Sequence, residues 1–153
     1  MESICSITPI ECSQIKKGHH IIIHSRPTKV VDMSISKTGK HGHMKVNVTG
    51  IDILTKKKLD FMGPGHMTIM EFSPIRKEYN LALMEDNTLI CTDKNGAETY
   101  VNIDQESKIY EEIKTEFDNG KSLVIVVITA PIMVSPEKYV DESAVDSFKE
   151  DRE

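Results

Sequence analysis

A mainly β chain in two small domains, the second an OB-fold, is what the 153 residues predict, and three observations carry the prediction. Tryptophan is absent and aromatic residues make up only 5%, so the core must be assembled from Ile, Val, Leu and Met, a supply rich in the β-branched residues that suit strands. Apolar and polar residues alternate twice between positions 27 and 54, with the period of two that marks a half-buried strand. The charge balance also reverses near Phe72. Residues 1–71 hold 10 Lys and Arg against 6 Asp and Glu, together with all six histidines, whereas residues 72–153 hold 9 against 18.

The elements follow in order. After a turn-rich start, HHIIIHSR and PTKVVDMSIS read as strands, the second setting Val31, Met33 and Ile35 against Asp32, Ser34 and Ser36. MKVNVTGIDIL repeats the pattern with Met44, Val46 and Val48 opposite Lys45, Asn47 and Thr49. Joined through KTGKHGH, these two form a long hairpin. KLDFM closes the N-terminal sheet and Gly63, Pro64 and Gly65 break it. Beyond Phe72, Ser73 and Pro74 the composition turns acidic, which sets domain bounds of 1–72 and 73–153. YNLALM, TLICT and ETYVNI then make a meander, with Asn95 and Gly96 as its second turn. Asp104 is placed to cap a helix whose Ile109, Ile113 and Phe117 recur every four residues and whose stop is Asn119 and Gly120. SLVIVVITAPIMV supplies a buried strand, continuing into another after Pro131. Three strands, a helix and two strands is the OB-fold order. The chain ends in a predicted acidic amphipathic helix and tail, entered at Ser135 and Pro136, with Val140, Ala144 and Phe148 on its inner face.

Composition excludes several classes. Cys5, Cys12 and Cys91 are odd in number and lack zinc-ribbon spacing, so neither a disulfide framework nor a structural metal is indicated. The longest apolar run, LVIVVITAPIMV, falls well short of the roughly 20 residues that span a bilayer, and the N-terminus lacks a secretion signal. A cytoplasmic protein without membrane partners is expected.

Chemistry concentrates in residues 37–43, KTGKHGH. A phosphate-binding P-loop would need glycine at position 34 and Ser or Thr after Lys40, where Ser34 and His41 stand. Metal binding by His41 and His43, with His19, His20 or His24 nearby, lacks the supporting residues that orient ligating imidazoles. Catalysis by Lys40 would need its ammonium pKa lowered by burial or a neighbouring cation, and an exposed tip offers little burial, with no carboxylate, thiol or phenol in the loop. What remains is a cationic finger whose glycines allow close approach and whose lysines and histidines offer donors to phosphate oxygens.

Residues 32–53, DMSISKTGKHGHMKVNVTGIDI, closely resemble the hypusine loop of the initiation factor five-A family of translation factors. CSQIKKGHHIIIHSRPTKVVDM and IRKEYNLAL are similar to the family's opening strands and the start of its second domain. The resemblance implies an SH3-like barrel followed by an OB-fold barrel. It also implies that Lys40 is the residue modified to hypusine with an aminobutyl group from spermidine, by deoxyhypusine synthase and then deoxyhypusine hydroxylase. No bound cofactor is implied, and no catalytic role. Partners implied are the ribosome and peptidyl-tRNA, whose acceptor end the modified lysine would position to relieve stalling, as at proline runs, and to assist termination. Lys37, Thr38, Gly39, His41, Gly42, His43 and Lys45 become the expected contacts to tRNA, ribosome and modifying enzymes. Ile35 and Met44 stand where the family has Thr and Ala, and repacking is expected there. TKKK at 55–58 lacks the glycine usual in that turn. A general RNA-binding protein that needs no modification is the competing reading.

Overall fold

The computed structural model describes residues 3–37 and 44–152 and is mainly β, with two antiparallel sheets. The first sheet has the order β1-β6-β2-β3-β4-β5. Its strands are β1 (Ser6–Glu11), β2 (His20–Ile23), β3 (Arg26–Lys37), β4 (Met44–Asp52), β5 (Lys58–Pro64) and β6 (Thr68–Ser73). Pro9, which cannot donate a ladder hydrogen bond, sits in β1 at the sheet's edge. One side of the sheet closes over Cys12, Ile15, Ile21, Ile23, Val30, Val46, Val48 and Ile69. β2 and β3 meet through His24 and Ser25, both at positive φ (52° and 67°), the backbone of a tight hairpin turn.

Two strands here were not anticipated. The turn-rich start contains β1, and the segment after Gly65 contains β6, which lies between β1 and β2. KLDFM therefore does not close the sheet by itself. Gly63 and Pro64 continue β5, and the break falls at Gly65.

The second sheet has the order β11-β10-β7-β8-β9. It is built from β7 (Ile75–Glu85), β8 (Thr88–Thr92), β9 (Glu98–Asn102), β10 (Leu123–Ser135) and β11 (Lys138–Glu150), with helix α1 (Lys108–Asp118) between β9 and β10. Ile113 of α1 is buried with Leu89, Cys91, Val101, Leu123 and Ile125, while Ile109 and Phe117 pack against that cluster. Burial pushes the Cys91 thiol up to about 11, so it is a small core hydrophobe rather than a reactive group. Gly96 and Gly120 take the left-handed conformation (φ 84° and 83°) expected of the β8–β9 turn and the end of α1.

Three details of this part differ from expectation. Ser107, not Asp104, caps α1: its hydroxyl accepts the Tyr110 amide at 3.3 Å. Asp104 instead turns the chain just before, accepting the Glu106 amide at 2.9 Å. β10 runs unbroken through Pro131. The predicted C-terminal helix is strand β11. A spacing of four fits a helix face and every second step of a strand equally, and the β-branched and aromatic Tyr139, Val140, Val145 and Phe148 favour the strand once β10 offers its edge.

Contacts divide the chain into two compact units, Met1–Ile75 with Thr129–Glu142, and Arg76–Ile128 with Ser143–Glu153. Within the first, Asp141 accepts hydrogen bonds from the Ser3 hydroxyl (2.5 Å) and the Ile4 amide (2.8 Å). The Met133 amide donates to the Ser25 carbonyl at 3.1 Å.

Candidate functional site

The β3–β4 hairpin is the longest ladder of the first sheet, and its register explains how the strands carry their turn. Thr28 pairs with Asp52 at one end, Lys37 with Met44 at the other, and the pairing shifts between Val30 and Asp32. Val31 is thus the extra residue of a β-bulge, 42% exposed. The bulge reverses the strand's parity. Thr28 and Val30 point inward before it, and Met33 packs against the core after it. Gly50 lies opposite Val30, where a Cβ would come within 2.3 Å of Thr28 Cγ2 and 2.9 Å of the Lys29 carbonyl. Only glycine lets the two backbones approach this closely.

The end of the hairpin away from the turn is pinned by charge. Asp52 is 3% exposed, and its Oδ2 accepts from Arg26 Nε at 2.6 Å. Its Oδ1 accepts the amides of Leu54 (2.9 Å) and Thr55 (3.1 Å). Burial alone would raise this carboxyl's pKa, but the Arg26 bond, the two amide bonds and the Arg26 charge together hold it below the usual carboxylate range. The same turn puts Lys56 at φ 67°, a left-handed conformation for a residue where a glycine would fit without strain.

At the turn end, the Gly65 amide donates to the Met44 carbonyl at 3.0 Å, and a Cβ on Gly65 would lie 2.8 Å from Met44 Sδ. Met44 is 37% exposed and leans on this glycine, while Ile35 is 53% exposed. The two apolar departures therefore do not repack into the core. They stay at the surface beside the turn. Lys45 pairs with Ser36 and Lys37 with Met44, so the two lysines project from opposite faces of the ribbon. Both are exposed. Thr38, Gly39, Lys40, His41, Gly42 and His43 lie outside the described residues.

The other basic residues of this half do not converge on the turn. Lys56, Lys57 and Lys58 sit at the Asp52 end, about 25 Å away along strands that rise about 3.4 Å per residue. Nor do the remaining histidines gather. His19 Nδ1 accepts the Lys16 amide at 3.3 Å and lies 3.5 Å from Glu71 Oε2, His20 packs on Phe72, and His24 Nε2 is 3.0 Å from the Asp60 carbonyl. Among the described residues no three His, Cys, Asp or Glu side chains are grouped to hold a metal, and no helix is long and apolar enough to cross a membrane.

Sequence reasoning located the hairpin and its turn but not its supports. Asp52, with Ile53 and Leu54 between it and TKKK at 55–58, carries no common motif. The adjacent valines Val30 and Val31, interrupting the alternation, were the available sign of the bulge.

Comparisons with known proteins converge on one family. Residues 5–67 match the model described as translation initiation factor 5A-like, N-terminal. The chain is 37% identical over 142 residues to eukaryotic translation initiation factor 5A-1 of Saccharomyces cerevisiae, covering 93% of this chain and 85% of that one. It is 40% identical over 122 residues to eukaryotic translation initiation factor 5A of Dictyostelium discoideum, covering 80% and 77%. A translation initiation factor eif-5a family protein of Naegleria fowleri superposes with a TM-score of 0.74 at 27% identity, over 94% of this chain and 98% of that structure.

Proposed function

This chain belongs to the translation initiation factor 5A family, and from that premise we propose that it is a ribosome-binding factor switched on by conversion of Lys40 to hypusine. The family makes it a translation factor rather than an enzyme. In the proposed cycle, deoxyhypusine synthase transfers an aminobutyl group from spermidine to the Lys40 amine, and deoxyhypusine hydroxylase completes the side chain. The product reaches farther than lysine and carries a second amine. Beside the peptidyl-tRNA it holds the acceptor end in a reactive position, a gain by proximity and orientation, not by acid–base chemistry. Stalled steps such as proline runs, where the reacting groups are poorly placed, benefit most.

The observation that carries this reading is the pairing of KTGKHGH with a two-stranded support held in register up to its last described rung, Lys37 and Met44. Lys37 and Lys45 add phosphate contacts on either face of the ribbon, which position RNA without reading its sequence. Gly39 and Gly42 allow close approach, and Thr38, His41 and His43 meet first the modifying enzymes and then RNA.

Peptide mass analysis of the protein from its native cells tests the proposal, alongside translation assays of Lys40→Arg. Hypusine or deoxyhypusine on Lys40, and loss of activity in a folded Lys40→Arg protein, are the expected results. A native protein unmodified at Lys40 and fully active as the arginine variant would overturn the proposal and favour a general RNA-binding protein.

A further inference from the structure

The register of β7, β8 and β9 lays out a grid of nine side chains on the outer face of the second sheet. Asn80, Thr92 and Glu98 form one row, Leu83, Ile90 and Tyr100 the next, and Glu85, Thr88 and Asn102 the third. The opposite face of the same strands is the core, with Leu81, Leu89, Cys91 and Val101 buried. Leu83 (47% exposed) and Tyr100 (65% exposed) therefore have no core to enter, and with Ile90 they make an apolar row across three strands. None of the nine positions holds Lys or Arg. The two carboxylates, Glu85 and Glu98, stand at diagonal corners and are exposed.

We infer that this face is a docking surface for a basic protein segment, seated on Leu83, Ile90 and Tyr100 and held at its ends by Glu85 and Glu98. The inference stands apart from the hairpin and from Lys40. Charge decides the kind of partner. Nucleic acid would bring phosphates against two carboxylates, with no cation among the nine positions to receive them. A second copy of the same face would likewise bring carboxylates and no cation. An arginine instead lays its aliphatic stem on an apolar row while its guanidinium reaches a carboxylate, and an exposed tyrosine ring adds a cation–π contact. The Tyr100 hydroxyl donates to Glu98 at 3.0 Å, so the ring stands against the corner where such a guanidinium would arrive. That hydrogen bond, and then the charge of Glu98, raise the hydroxyl's pKa. From strand spacing and rise the two corners lie roughly 16 Å apart, about five residues of extended chain.

The test uses the full-length protein, isotopically labelled for NMR, titrated with an eight-residue peptide of leucine and alanine carrying two arginines five positions apart. Controls are the same peptide with both arginines replaced by glutamate, and an eight-nucleotide single-stranded RNA. Expected are amide shifts centred on Leu83, Ile90 and Tyr100, no response to the glutamate peptide, and weakening as salt rises. The double variant Glu85→Gln with Glu98→Gln should bind about tenfold more weakly and Tyr100→Ser about fivefold. Glu111→Gln with Glu112→Gln on the exposed acidic face of α1 should leave binding unchanged. All substituted side chains are exposed, and circular dichroism confirms each fold. Shifts centred on α1, affinity unchanged by the grid substitutions, RNA acting more strongly on this face than the peptide, or no binding up to millimolar peptide would each overturn the inference.

Discussion

Replacing Asp52 with Asn removes the charge that pins the far end of the β3–β4 hairpin while keeping its shape. The carboxylate uses both oxygens as acceptors, one for Arg26 Nε and the other for the amides of Leu54 and Thr55. Asparagine has one acceptor oxygen, so whichever way it turns, its NH2 group confronts a donor. Either Arg26 or the two amides lose their partner at a site 3% exposed. Breaking a buried charge pair costs about 3–5 kcal/mol, and the amide side alone about 1–3 kcal/mol, so Asp52→Asn should cost about 3 kcal/mol at pH 7. The pH dependence has a definite sign. The folded carboxyl has a lowered pKa, so its contribution is complete above the unfolded value and is lost as pH falls through the lower, folded value. The gap between wild type and variant should be full at pH 7 and 5 and shrink as pH falls below about 4, the ordinary aspartate value. Because the chain has two compact units, urea unfolding should be followed through NMR signals of Val30 and Val46, which lie in the first. A cost under 1 kcal/mol at pH 7, or a gap that stays constant down to pH 3, would refute the assigned role.

Other expectations follow from the same hairpin. Gly50→Ala places a Cβ 2.9 Å from a backbone carbonyl that cannot swing away, and should cost at least about 2 kcal/mol in urea unfolding, comparable to overpacking a core. Lys56→Gly relieves a left-handed lysine and should raise stability by up to about 1 kcal/mol; a loss would show that the Lys56 side chain matters more than its backbone. Lys37→Ala and Lys45→Ala, on opposite faces, should each lower the slope of log affinity for RNA against log salt by about 1, and the double variant by about 2. A double variant no weaker than either single would mean that RNA meets one face only.

Much of this molecule was legible in its residues because the decisive signals were local. Alternation through Val46 and Val48, the Asn95–Gly96 turn, the fourfold spacing of Ile109, Ile113 and Phe117, and the stop at Asn119–Gly120 each depend on neighbours within a few positions, and each appears in the structure. The failures were cases where a distant partner decided. Residues 6–11 contain Pro9 and look like a turn until β6 is there to pair with them. The fourfold pattern of Val140, Ala144 and Phe148 suits a helix until β10 presents an edge. Asp52 resembles any loop aspartate until Arg26, 26 residues earlier, folds against it. The cationic motif was conspicuous for the opposite reason: it carries chemistry that a turn does not need.

The distribution of strain and support along the hairpin bears on what the turn can do. Its constraints lie at the Gly50 approach, the Val31 bulge and the Asp52 pin, all in the half away from residues 38–43. Near the turn the ladder keeps its register to Lys37 and Met44, but its side chains are exposed and none of the first unit's buried cluster lies beyond Val46. Among the described residues, the contacts that stabilise the hairpin therefore lie away from its Lys37–Met44 end. The same separation predicts which substitutions divide activity from folding. Changes at Gly50 or Asp52 should act on activity only through stability, whereas Lys40→Arg should remove activity at constant stability, and a Lys40→Arg protein that unfolds earlier in urea would show that the turn contributes to the fold after all.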